Sequence, residues 1–209
     1  MTGALFPARR RRFSLPDAEV WMEEDFLSPD AARALFESLK EDIPWEEETI
    51  WMFGRRVTVP RLVALLGEPG LAYKYSGVVH ETSPWPEALR SILVRLTEQT
   101  GGRFNCALAN RYRSGRDRMG WHADDERSLG ERPIIASLSL GQPRRFQMKH
   151  RSRKDAPRLN VELPSGSLLV MAGETQNHWL HQVPKTTRQV GERINLTFRN
   201  LVVAGNPHH

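Results

Sequence analysis

In an extended chain, residues two apart point to the same side. His122 and Asp124, in Gly120-Trp121-His122-Ala123-Asp124, therefore offer an imidazole and a carboxylate to one metal ion. A third donor lies farther on, in Asn177-His178-Trp179-Leu180-His181, where spacing leaves His178 and His181 as rivals. Two imidazoles and one carboxylate on one face of an octahedron leave three positions open, which is the facial triad of non-haem Fe(II) oxygen chemistry. By itself His-x-Asp is a weak signal in a chain with seven His, since a hydrogen-bonded pair at a strand end reads the same.

Arg193-Ile-Asn-Leu-Thr-Phe-Arg199 strengthens the reading. Ile194, Leu196 and Phe198 face one way and read as packing; Arg193, Asn195, Thr197 and Arg199 face the other. Two arginines turned inward are costly unless an anion meets them. A dicarboxylate would do so, because the guanidinium fork matches a carboxylate in a bidentate pair. An exposed strand face is the plain alternative.

The elements that must hold these groups follow from pattern. Ser28-Pro29-Asp30 reads as a helix cap with proline at the first position. Ala31, Ala34, Leu35 and Leu39 then form an apolar stripe running to Lys40, and Glu41–Glu48 reads as helix end and loop. A second helix is expected over Pro86–Glu98, with Leu89, Ile92, Leu93 and Leu96 on its core face. From Phe104 the texture becomes short strands between turns: Asn105–Tyr112, Ile134–Leu140, Arg145–Lys149, Ser167–Met171 and Arg193–Leu201. Helices first and many strands after favour α+β with a sandwich or barrel-like core.

The chain has 209 residues, 39% of them hydrophobic and 26% charged, which fits one sizeable core. No apolar run approaches a membrane span, so no membrane association is expected. The one cysteine, Cys106, excludes an internal disulfide framework and a Cys-based zinc site, and fits a reducing compartment. Net charge is +5, compatible with a polyanionic partner. Residues 141–160 hold seven Lys/Arg against one Asp, either a solvated loop or one facing phosphates. Residues 1–17, with the run Arg9–Arg12, are expected to be a flexible basic arm. One domain is expected over 18–209.

In order along the chain, Asn110-Arg-Tyr112, His122-x-Asp124, His181 and Arg193-x-Asn195-x-Thr-Phe-Arg199 resemble the AlkB family of Fe(II)/2-oxoglutarate-dependent dioxygenases. Asn110-Arg-Tyr-Arg-Ser-Gly, His122-Ala-Asp-Asp-Glu126, Val59-Pro60-Arg61 and Tyr73-Lys-Tyr-Ser-Gly77 are most similar to the homologue 2 and 3 type, the nucleic-acid demethylases. The resemblance implies a double-stranded β-helix (jelly-roll) core over about 104–201, with a nucleotide-recognition segment over about 45–100. It implies that His122, Asp124 and His181 hold Fe(II), which decides against His178. Arg193 would pair with the distal carboxylate of 2-oxoglutarate, and Asn110, Tyr112, Asn195, Thr197 and Arg199 would complete that pocket. Asp125 and Glu126 would face the damaged base.

The implied reaction is oxidative demethylation of 1-methyladenine and 3-methylcytosine, consuming 2-oxoglutarate and O2 and releasing succinate, CO2 and formaldehyde. The implied partner is alkylated DNA, with RNA as the alternative polymer. A methyl on a Watson–Crick nitrogen is hidden in a duplex, so the base must be flipped out or already single-stranded. A flipped base needs aromatic walls, each stacking contact being worth ~1–3 kcal/mol. Tyr73 and Tyr75 suit that role, and Trp51 or Phe53 could wedge into the gap. The resemblance implies Phe53 before Gly54 as the wedge, hence duplex DNA. Arg61 and Ser76 are further pocket contacts. Rival classes are a zinc hydrolase on the same triad, which leaves the arginine face unexplained, and a non-catalytic nucleic-acid-binding module. A monomer is expected, in the cytoplasm of a bacterium or the nucleus of a eukaryote.

Overall fold

The structure, a computed structural model, describes residues 10–52, 54–75 and 78–202. In chain order the elements are β1 (Arg10–Phe13), β2 (Glu19–Glu23), α1 (Pro29–Asp42), β3 (Glu46–Met52), β4 (Arg55–Gly67), β5 (Ala72–Tyr75) and β6 (Val78–Glu81). There follow β7 (Ser83–Pro84), α2 (Arg90–Thr100), β8 (Cys106–Tyr112), β9 (Met119–His122), β10 (Ile135–Gly141) and β11 (Arg144–His150). The last elements among the described residues are β12 (Leu159–Leu163), β13 (Leu168–Ala172), α3 (Thr175–His178), β14 (Trp179–Val183) and β15 (Arg193–Arg199).

Two sheets, antiparallel except for the short β7, face each other. The large one runs β1-β2-β13-β10-β15-β8-β4-β3, with β7 added along β4; the small one runs β12-β11-β14-β9. This is the expected jelly roll, and β5 and β6 pair with each other beside it. The inner strands of the large sheet are buried on both faces, the outer face apolar and the face toward the small sheet apolar except around the cleft. Ala107, Ala109, Leu138, Leu196 and Phe198 pack outward under Leu35 and Leu39 of α1 and Ile92 and Leu96 of α2. Leu108, Ile135, Leu169 and Met171 pack inward against Phe146, Met148, Val161 and Val183 of the small sheet.

The Ser28 hydroxyl accepts a hydrogen bond from the Ala31 amide, and Pro29 opens α1 as expected. The buried stripe is Ala32, Leu35 and Leu39, whereas Ala31 and Ala34 face solvent. Leu35 and Leu39 are thus buried as expected, and only the alanines differ, because alanine fits either environment. Glu46–Glu48, expected in a loop, open β3, an outer strand of the sheet: Glu46 and Glu47 are exposed, and the buried Glu48 is met by His80 Nε2 at 2.9 Å. Gly166, φ +84°, makes the turn before β13; a Cβ there would sit 2.7 Å from the Leu27 carbonyl oxygen.

Arg10–Arg12, expected to belong to a flexible arm, are the edge strand β1 paired to β2. The Arg10 guanidinium lies 4.2 Å from the centre of the Trp21 ring and donates to the Gln99 carbonyl. The buried Trp179 indole N–H donates to the Pro16 carbonyl at 2.8 Å, fastening the segment to β14. Pairing to β2, the Trp21 ring and the hydrogen bonds with Gln99 and Trp179 order a stretch whose own composition is merely basic.

Candidate metal and dicarboxylate site

β9 and β14 are neighbours, and their register sets His122 opposite His181. The two rings are 4.2 Å apart, centre to centre. Asp124 lies two residues beyond the strand, its Oδ2 3.9 Å from His181 Nε2. One ligand atom from each of His122, Asp124 and His181 lies within 4.8 Å of the other two. The His122 Nδ1–H donates to the Gly120 carbonyl at 2.8 Å, which leaves Nε2 its lone pair. Asp124 Oδ1 accepts from Arg199 Nη2 at 2.7 Å.

Asp124 Oδ2 and His181 Nδ1 are buried and have no hydrogen-bond partner among the described residues. Orphaned buried polar atoms in a cluster of donors fit a cation. The protonation states agree. Burial alone would raise the Asp124 carboxyl, but Arg199, and then His181 and His122, outweigh it and hold it below the usual carboxylate range. Burial, helped by His122, drives the His181 imidazole down to about 3, and burial also lowers His122. The site therefore presents one carboxylate and two neutral imidazoles, the forms that bind a divalent metal.

The same cleft runs between the sheets to Arg193. That guanidinium is buried; Nη2 donates to Ser139 Oγ at 2.9 Å, while Nε and Nη1 have no partner among the described residues. It stands 5.2 Å from the Tyr112 ring centre. Burial lowers its pKa to about 10, and neighbouring Arg144 adds to the effect. A buried cation with unused donors and no carboxylate calls for an anion. Asn110, Tyr112, Asn195 and Thr197 line the cleft beside it. Asn195 donates to Ser137 Oγ at 2.8 Å and to the Leu138 carbonyl at 3.0 Å, and accepts from Thr197 Oγ1 at 3.3 Å.

Three sequence expectations change. The alternation in β15 is as read, but its two arginines differ: Arg199 is paired with Asp124 and keeps only Nε without a partner among the described residues, whereas Arg193 has no carboxylate and keeps both Nε and Nη1. Tyr73, expected as an open aromatic wall, is fully buried, with its hydroxyl 3.2 Å from Arg199 Nη1. A tyrosine with a polar partner inside the core packs better there than on a wet face. Arg61, expected as a pocket contact, is buried and donates to Asn110 Oδ1 at 2.6 Å, so it orients Asn110.

Asp125 is exposed and bonded to Arg151, and Glu126 sits half-buried with its carboxyl raised by desolvation. Phe53 and Ser76 lie outside the described residues, as do the side chains of Trp51 and Tyr75. The sequence reading missed Ser137 and Ser139, though their alternation along Ile134–Leu140 could have revealed them. It also missed Gln176, for which no local pattern exists.

His178 does not reach the triad. It stacks on His150, ring centres 5.7 Å apart, and His150 Nε2 lies 3.3 Å from Asp17 Oδ2. This second His/Asp cluster does not suit a metal. His150 Nδ1 accepts the amides of Ser152 and Arg153, so Nε2 carries the proton and donates to Asp17.

Beyond the triad, a cavity of ≈ 1290 Å³ opens along Arg116, Arg118, Arg145, Lys185 and Arg188, all exposed. Glu162 is the one carboxylate lining it among the described residues. Arg144, counted among the cations of 141–160, is instead buried and donates to the Ser114, Asp117 and Pro184 carbonyls, which ties the β8–β9 and β14–β15 loops to β11.

Residues 19–199 match the profile of the 2OG-Fe(II) oxygenase superfamily. The chain is 38% identical over 192 residues to the alpha-ketoglutarate-dependent dioxygenase alkB homolog 3 of Homo sapiens, covering 88% of this chain and 66% of that protein. It is 38% identical over 180 residues to the DNA oxidative demethylase ALKBH2 of Mus musculus, covering 82% and 75%. The chain thus spans just under two thirds of the length of the human homolog 3 protein. The solved structure of OsALKBH1, 17% identical, superposes with a TM-score of 0.64 over 91% of this chain and 99% of that one, which bears on the fold.

Proposed function

Because the chain belongs to the 2OG-Fe(II) oxygenase superfamily, and within it to the AlkB family, we propose that it repairs DNA by oxidative demethylation of 1-methyladenine and 3-methylcytosine. The observation that carries this reading is a single cleft holding both a metal-ready triad and a buried arginine without an anion.

His122, Asp124 and His181 would hold Fe(II). When bound, the iron with 2-oxoglutarate and O2 supplies the oxidising power that hydroxylates an N-methyl group, with succinate and CO2 as co-products and formaldehyde lost from the repaired base. The remaining work belongs to side chains. Arg193 meets the distal carboxylate of 2-oxoglutarate with its free donors. Asn110, held by Arg61, and the Asn195–Thr197 pair supply neutral contacts along the cleft. Arg199 occupies one oxygen of Asp124 and so presents the other. The apolar walls Leu108, Met171 and Phe146 exclude water.

Asp125 and Glu126 lie immediately past the metal ligand and would read the flipped base. The relatives named as DNA oxidative demethylases support DNA as the polymer, and the basic cavity suits a phosphate backbone.

The test is mass spectrometry of a duplex oligonucleotide carrying one 1-methyladenine. It is incubated with protein, Fe(II), ascorbate and O2, with and without 2-oxoglutarate, beside His181→Ala. The expected result is loss of the methyl mass that requires both 2-oxoglutarate and His181. Succinate production without base repair on duplex, single strand or RNA would move the substrate elsewhere. Neither product from folded, iron-loaded protein would overturn the enzymatic reading.

A further inference from the structure

His122 and His181 are carried by strands, and their ladder fixes their backbones. Asp124 is not: residues 123–126 follow the end of β9 and precede the next short turn without ladder bonds. A carboxylate on such a stretch needs another anchor. The Arg199 hydrogen bond holds one side-chain oxygen but leaves the backbone free to shift.

The anchor is Gln176. Its Oε1 accepts the Asp124 amide N–H at 2.9 Å, and both residues are buried. The far side of the same amide, Nε2, lies 3.6 Å from Met171 Sδ. Reversing the amide would set a donor against the Asp124 N–H, so the orientation is determined by its partner.

Gln176 sits on α3, whose next residue after His178 begins β14 and leads to His181. The helix is itself secured: Thr175 Oγ1 donates to the Ala172 carbonyl and accepts the Glu19 amide. The Gln176 carbonyl accepts from Arg151, which also grips Asp125. All three ligands thus refer to one short segment. His181 belongs to it, His122 is paired to it and Asp124 hangs from it.

We infer that Gln176 is a positioning residue for the metal centre, setting the backbone of Asp124 relative to His181 through its side-chain carbonyl. It touches neither substrate nor metal, and acts only through Asp124. The inference rests on the triad being the metal site.

The test uses Mn(II) as the probe, titrated into metal-free full-length protein and followed by electron paramagnetic resonance. Gln176→Met keeps the volume and removes the acceptor; Gln176→Glu keeps the acceptor. The Met variant is expected to bind Mn(II) about 10- to 100-fold more weakly, the usual cost of losing an outer partner of a ligand. The Glu variant is expected to bind close to wild type. Equal binding by Gln176→Met and wild type, or equal weakening in both variants, overturns the inference.

A wild-type protein that fails to bind Mn(II) removes the metal site and the inference with it, which separates the two failures. A readout needing no variant is hydrogen exchange of the Asp124 amide in metal-free protein. Slow exchange outside any ladder is expected, and exchange as fast as that of exposed loop amides overturns the role of Gln176.

Discussion

Arg193 and Arg199 look alike in the sequence and do different work. Arg199 is neutralised by Asp124, which raises its already high pKa despite burial. Arg193 has no carboxylate, and burial lowers it. Arg193→Met is therefore expected to weaken 2-oxoglutarate binding roughly 10- to 100-fold, the loss of one charge-assisted bond or more, and to leave Mn(II) affinity intact. Isothermal titration with each ligand separates the two, and an unchanged 2-oxoglutarate affinity would remove the anion role. The histidines give a pH signature. His181 is lowered from 6.5 to about 3, so the folded, metal-free protein binds fewer protons than the unfolded chain between those values. Stability is fully present above that window and falls as pH drops through it, by up to about 1.4 kcal/mol per pH unit. Asp124, also depressed, adds to the loss at the acid end. Urea midpoints of metal-free protein should rise between about pH 5 and about pH 7. His181→Leu should flatten that rise; a flat wild-type profile would contradict the neutral, buried imidazole.

β15 serves as a partition. Ile194, Leu196 and Phe198 pack under the helices, while Arg193, Asn195, Thr197 and Arg199 face the cleft. The whole strand is buried, so its polar face is tolerated only because partners and a ligand meet it. Leu196→Ala opens a cavity between β15 and the helices and should cost about 2–5 kcal/mol, read as a lower denaturation midpoint. The period-2 pattern made this element legible, whereas β8, β10 and β13 were legible as short β-rich runs between turn signals. The β3–β6 region was not read as strands, because Trp51–Pro60 mixes charge, aromatic and proline without a clean alternation. Strand β1 was missed because its own residues are merely basic and its order comes from pairing to β2, with Trp21, and from the distant Gln99 and Trp179.

At the scale of the whole molecule, five exposed cations line one cavity. Arg116, Arg118, Arg145, Lys185 and Arg188 come from three separate loops and strands, joined underneath by Arg144. Replacing Arg118 and Arg188 by Ala should weaken duplex binding and lower the slope of log affinity against log salt by about 0.9 for each phosphate no longer neutralised. Mn(II) affinity should not change. Fluorescence anisotropy at several salt concentrations would show it; an unchanged slope would place the DNA elsewhere. Among the described residues, no helix is long and apolar enough to cross a membrane.

The donor types were determined by sequence alone. His-x-Asp, a later His and an alternating Arg/Asn/Thr/Arg strand depend only on residue identity and spacing within single strands. The tertiary structure decided everything that depends on which strands lie side by side. Register between β9 and β14 chose His181 and sent His178 to His150. Packing took Arg199 for Asp124, hid Tyr73 and Arg144, and brought Gln176 to the Asp124 amide. Spacing cannot encode such pairings, because the free energy that selects them comes from burying groups contributed by distant segments.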